Sequence, residues 1–163
     1  MTMTYRIISI PPFRAVLSGV DSSFDFSENG VLGKFNNYFS KLKPRPQDSF
    51  SPRDYLYFDE KQGGLVWMYA LADDMDTEGY ETLDFDGGYY VTYHYKDGDD
   101  AENERLYTEV LALIEQSEVL ALDKRENHYP MGHIITPPAI IEAQGWAQME
   151  AFIPVKVKGK DEE

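Results

Sequence analysis

The apolar positions of the chain recur at two spacings, one suited to strands and one to helices. From Tyr5 to Ile10, and again from Phe13 to Val20, hydrophobic and polar residues alternate well enough for strand, with Pro11 and Pro12 as the break. Asp21 to Asn29 is polar and flexible. Val31, Leu32, Phe35, Tyr38, Phe39 and Leu42 then fall at helical spacing, Ser27 or Asn29 can serve as N-cap, and Pro44 and Pro46 stop the helix. Asp54 to Phe58 and Leu65 to Leu71 read as a hairpin whose connection, DEKQGG, has Gly63 and Gly64 for the turn. The acidic ADDMDTEG that follows is a loop.

The rest of the chain repeats that order. Tyr80 to Phe85 is a short strand, Asp86-Gly87-Gly88 a turn, and Tyr89 to Tyr95 a strand of β-branched and aromatic residues. After KDGDD, Leu106, Val110, Leu113 and Ile114 form the apolar stripe of a helix ending near Ser117. Asp99 or Asp100 caps it, and acidic residues occupy the first turn, where the helix dipole favours them. An apolar segment from His128 to Thr136 and a last strand from Gln148 to Val157 complete the half. Pro137 to Trp146 is longer than an ordinary hairpin turn, and its pattern selects no element.

A strand-helix-strand-strand unit alone leaves one face of its sheet exposed. The expected fold is therefore α+β: two tandem β-α-β-β modules with pseudo-two-fold symmetry, joined in an antiparallel sheet. Helices lie on one face and a ligand pocket on the other. The length suits a single domain over 1–163, with half-repeats of about 1–78 and 79–163.

Composition narrows the function. Acidic residues outnumber basic ones 29 to 15, a formal charge of −14 that repels phosphate backbones, so no direct nucleic-acid binding is expected. The chain has no cysteine, which removes disulfides, thiolate metal sites and cysteine nucleophiles and fits a cytoplasmic location. No apolar run approaches the length needed to span a bilayer, and the N-terminus lacks the pattern of a signal peptide, so no membrane association is expected. His94, His128 and His133 include no pair at helical ligand spacing; no metal site and no cofactor are expected. The 12 Tyr and 9 Phe are in excess for a chain of this size, which suits either a partly wetted pocket or ordinary strand packing.

Three segments, GGYYVTYHYK followed by LYTEVLALIEQS, the terminal MEAFIPVK, and the opening IPPFRAVLSGV, resemble the GyrI-like domains. These are also the effector-binding domains of bacterial transcription regulators such as BmrR and Rob. The resemblance implies two tandem modules around a central pocket for a lipophilic cation or drug-like aromatic. It implies that a glutamate on the last strand, here Glu150, meets the ligand's charge between aromatic walls. It also implies three activities to weigh: sensing or sequestering a small molecule, hydrolysis with a glutamate and a tyrosine, and inhibition of gyrase. The chain departs from the family pattern at ENHYPMG, where the acid stands at Glu126, and in the long connection after it.

Alternation puts Glu150 on the face of Phe152 and opposite Met149 and Ala151. A carboxylate in such company is costly unless paired or used. If the residue lies in a pocket, burial disfavours its charge and a bound cation restores it. Trp67 and Tyr69 share one face of the first hairpin, Tyr55 and Tyr57 a face of its partner strand, and either pair can wall a pocket or pack a core. Tyr90, Thr92 and His94 share a face opposite Val91 and Tyr93, and either face can be the concave one. Tyr129 is a candidate proton donor by resemblance. The candidate ligand-binding set is thus Glu150, Trp67, Tyr69, Tyr55, Tyr90, Tyr129 and Phe152.

The leading expectation is a standalone module that binds a small hydrophobic or cationic molecule, since no DNA-binding helix pair precedes it in these residues. It can partner a transcription regulator. The alternatives are a hydrolase of a reactive small molecule using Glu150 and a pocket tyrosine, and an acidic module that inhibits gyrase.

Overall fold

The computed structural model describes residues 5–42, 52–72 and 75–159. Pro44 and Pro46, the expected helix stops, lie outside them, as does part of the ADDMDTEG loop. In chain order the elements are β1 (Arg6–Ile10), β2 (Phe13–Leu17), α1 (Val31–Phe39), β3 (Asp54–Asp59), β4 (Gly64–Ala70), β5 (Thr82–Phe85), β6 (Gly88–Lys96), α2 (Asp100–Gln116), β7 (Leu120–Leu122), β8 (Met131–Ile134), α3 (Pro138–Gln144) and β9 (Gln148–Val157). The class is α+β with antiparallel pairing, as the sequence pattern predicts. The chain divides into two compact units, Pro12–Asp86 and Met1–Pro11 with Gly87–Glu163. Thus β1 belongs with the second half of the chain and β5 with the first.

In the Pro12–Asp86 unit the strands run β3-β4-β2-β5. Register places Val16, Tyr69 and Trp67 on one face and Ala15, Met68 and Tyr55 on the other. Helix α1 covers the first face through Phe35 and Tyr38, with Phe39, Trp67 and Tyr80 packed around them. The Tyr38 hydroxyl donates to the Asp76 carbonyl at 2.5 Å, and burial, then the nearby Glu78 and Asp76, pushes the phenol up to about 12.

Helix α1 starts without the expected Ser27 or Asn29 cap. Its N-cap is Gly30, in extended conformation and with no side-chain hydrogen bond. The reason is local: the Asp25 carboxylate takes the Ser27 N–H at 2.8 Å and the Gly30 N–H donates to the Ser27 carbonyl, folding the approach into its own turn. That turn presses on the helix, because a Cβ at Gly33 would stand 1.8 Å from the Ser27 carbonyl oxygen. Intrinsic propensity says Gly33→Ala should stabilise a helix by up to about 1 kcal/mol. The contact dominates, and the substitution is expected to destabilise by about 1–3 kcal/mol in urea unfolding.

In the other unit β9 pairs with β6, and β6 with β1. The far edge of β9 is covered by β8 over Met149–Phe152 and by β7 over Val155–Val157. The break between them falls at Pro154, which has no N–H to offer that edge but accepts the Asp123 N–H at 3.0 Å. β7 was not expected: three residues are too few to show a period. Helix α2 begins where expected, Asp99 accepting the Glu102 N–H. Its Leu106, Val110 and Ile114 pack on Val91, Tyr93, Ala151, Ile153 and Val155. Each such buried aliphatic contributes about 1.5–3 kcal/mol. The unassigned Pro137–Trp146 segment holds α3, with proline in its first turn and Gly145 in left-handed conformation at its end, φ 82°. Seven residues carry too little periodicity to announce it.

Candidate functional site

Helix α2 covers one face of the β1-β6-β9-β8 sheet, which settles the two-way choice at β6. Val91 and Tyr93 face the helix; Tyr90, Thr92 and His94 face away. Directly paired strand residues point to the same side. The register Arg6↔Thr92, His94↔Glu150, Thr92↔Phe152 and His133↔Glu150 therefore gathers Arg6, Tyr90, Thr92, His94, His133, Glu150, Phe152 and Met131 on the helix-free face.

Glu150 stands between His94 on β6 and His133 on β8. It is 5% exposed, on the face it shares with the buried Phe152, Thr92 and Met131. Two cationic or potentially cationic groups meet the same oxygen: Arg6 Nη2 stands 2.5 Å from Oε2 and His94 Nε2 stands 3.3 Å from it. The Arg6 side chain is 58% exposed and reaches inward from the first strand. Thr92 is fully buried, and its hydroxyl has no hydrogen-bond partner among the described residues.

The candidate residues separate accordingly. Glu150, Tyr90 and Phe152 come together on the helix-free face. Tyr129 is half-buried in the excursion between β7 and β8, outside the strands that carry Glu150. Tyr55, Trp67 and Tyr69 belong to the Pro12–Asp86 unit. Trp67 and Tyr69 face α1, with Phe39 rings 5.0 and 5.2 Å from theirs, and Trp67 donates to Asp54. These rings are built into the core of that unit. Tyr55 lies on the opposite face, its hydroxyl donating to the Pro52 carbonyl.

Arg6, His94 and Thr92 were not in the candidate set. Alternation put His94 and Thr92 on the Tyr90 face, but only the β6–β9 register brings them beside Glu150. Arg6 had no local signal, because its partner is 144 residues away.

A separate open groove of about 380 Å³ is lined by Gly88, Tyr89, Asp123, Arg125 and Val155–Val157. It lies five residues along β9 from Glu150, roughly 17 Å at strand rise. Asp123 there is buried and accepts from Arg125 Nε and Nη2 and from the Arg125 N–H. Both ring nitrogens of the adjacent His128 face carbonyl oxygens, of Glu126 and Gly87. Among the described residues, no group of three or more His, Asp or Glu is placed to hold a metal ion, and no helix is long and apolar enough to cross a membrane.

No protein-family profile and no curated protein matches the chain in sequence. Solved structures do match its fold. The protein SAV2435 bound to tetraphenylphosphonium superposes with a TM-score of 0.56 at 14% identity, over 94% of this chain and 94% of its own. A hydrolase from Listeria innocua gives 0.55 at 11% identity, over 94% and 92%. A candidate bacterial transcription regulation protein from Staphylococcus aureus gives 0.53 at 11% identity, over 95% and 99%. At such identities the likeness is one of fold, and it is consistent with the GyrI-like architecture expected from the sequence.

Proposed function

We propose that this chain binds a small, largely apolar molecule on the helix-free face of the β1-β6-β9-β8 sheet, with Glu150 as the polar anchor. The observation that carries the reading is the buried carboxylate of Glu150, kept on a face with the fully buried Phe152 and Thr92 where an apolar residue would cost less. A group retained against its desolvation cost is a candidate for function. The binding of tetraphenylphosphonium by SAV2435, a protein of the same fold, supports a small-molecule role.

Calorimetric titration with a panel of aromatic compounds, charged and uncharged, tests the reading. At least one is expected to bind, and Glu150→Gln, which keeps the shape and removes the charge, is expected to change its affinity by roughly 10- to 100-fold. Affinities equal in the two proteins across the panel would remove Glu150 from the site.

The His94–Glu150 contact of 3.3 Å favours a second reading. A carboxylate that orients an imidazole prepares it to take a proton from water and, as imidazolium, to return it to the leaving group. The Listeria innocua neighbour of the same fold is named a hydrolase. Time-dependent consumption of an activated aromatic ester, abolished in both His94→Gln and Glu150→Gln, would establish turnover. Equal decay with and without protein would leave the chain a binding module.

A further inference from the structure

The charge balance around Glu150 specifies the ligand further than the family resemblance does. A lone buried carboxylate calls for a cation. Glu150 is not alone: Arg6 Nη2 already meets Oε2 at 2.5 Å, and His94 stands on the same oxygen. An organic cation entering here meets a carboxylate whose charge is compensated. It must first displace a guanidinium, and it then faces that guanidinium at short range, a like-charge repulsion.

Thr92 points to what the ligand offers instead. Its hydroxyl is fully buried and has no partner among the described residues, an uncommon and costly state for a polar group in a folded protein. It lies on the same face, directly across from Arg6 on β1 and from Phe152 on β9. Valine would fill the same space without the unmet hydroxyl. The Arg6 guanidinium hydrogen-bonds through Nη2 to Glu150 and its side chain is more than half exposed, whereas Thr92 and Phe152 are fully buried. The exposed arm of Arg6 is therefore the movable part of the set, and the Thr92 hydroxyl is a donor held in place beside it.

We propose that the Glu150 face takes an uncharged, largely apolar ligand bearing a hydrogen-bond acceptor. Arg6 supplies the positive charge that Glu150 requires, and Thr92 donates to the acceptor. Arg6 is then the residue that sets charge preference. The inference rests on the reading of this face as the ligand site.

Two probes of similar bulk and opposite charge requirement test it: triphenylphosphine oxide, neutral with a strong acceptor oxygen, and tetraphenylphosphonium. Affinities are measured by titration on the full chain, with amide shifts of β6 and β9 marking the site. Wild type is expected to bind the oxide more tightly than the cation. Arg6→Gln, which leaves Glu150 uncompensated, is expected to shift the ratio roughly 5- to 30-fold toward the cation. Arg6→Lys keeps the wild-type ranking. Thr92→Val is expected to weaken the oxide roughly 2- to 10-fold while raising the melting temperature, a combination that a purely structural threonine would not show. A wild-type preference for the cation, or a ratio unmoved by Arg6→Gln, overturns the role of Arg6. A valine variant with unchanged oxide affinity overturns that of Thr92. In each case shifts on β6 and β9 that depend on Glu150 would leave the site itself standing. If neither probe binds any variant, or the shifts fall elsewhere, the site reading and this inference fail together.

Discussion

Phe35→Ala is expected to lower the unfolding free energy by about 3–5 kcal/mol, with the urea midpoint falling and the slope unchanged. Phe35 is fully buried on α1, and the rings of Tyr38, Phe39 and Tyr80 stand 5.6, 5.6 and 5.1 Å from its own. Removing it deletes the transfer free energy of a benzyl group and opens a cavity lined by rigid rings. Those rings cannot follow easily: Tyr38 is tied to the Asp76 carbonyl and Trp67, beyond Phe39, to Asp54. The residual void should therefore be large, and the cost near the top of the range for such truncations. A loss under about 1 kcal/mol would show that the α1 side of this unit can collapse around the gap.

The second large effect is expected at Asp123, outside the ligand face. Desolvation pushes its carboxyl up, but the hydrogen bonds from Arg125, then the charges of His128 and Arg125, outweigh it and hold the group below the usual carboxylate range. A carboxylate with a depressed folded value contributes stability that is present above its unfolded value, about 3.9, and disappears as pH falls through the folded one. Asp123→Asn is expected to cost about 2–3 kcal/mol near neutral pH by removing the charge from these bonds. Below about pH 4 the gap between the two proteins should begin to close, because wild type loses the same component as Asp123 protonates. Urea unfolding at steps from pH 7 to 3 measures both limbs. Curves that stay parallel down to pH 3 would mean that Asp123 gains nothing from its charge. Arg125 is half exposed, so the Asp123 bonds to it are placed at the lower end of what a buried pair would give.

Much of the local structure could be read from residue order. The stripe Leu106, Val110, Ile114 announced α2, Asp99 or Asp100 its start, and the strand reading of QMEAFIPVKV covers the same residues that form β9. These are contacts between neighbours in sequence, and the two backbone periods expose them directly. Shorter elements escaped for the same reason: β7 and α3 are too brief to complete a period. At α1 the cap was misread because Asp25 and Ser27 form a competing turn that leaves Gly30 at the helix start. That turn also brings Ser27 against Gly33, a contact invisible in propensities.

The same division runs through the candidate site. Alternation alone determined that Glu150 and Phe152 share a face, and that Tyr90, Thr92 and His94 share another. Only tertiary structure decided that these are the same face, that it is the one α2 leaves uncovered, and that β1 brings Arg6 onto it. It also decided that Trp67 and Tyr69 serve the α1 core. Strand pairing is a choice among distant partners, made by the sum of many weak contacts after the chain has closed long loops. No single residue carries it. The sequence by itself put Glu150 and Phe152 on one face of the last strand. The fold decided that an arginine 144 positions away would already be there to meet it.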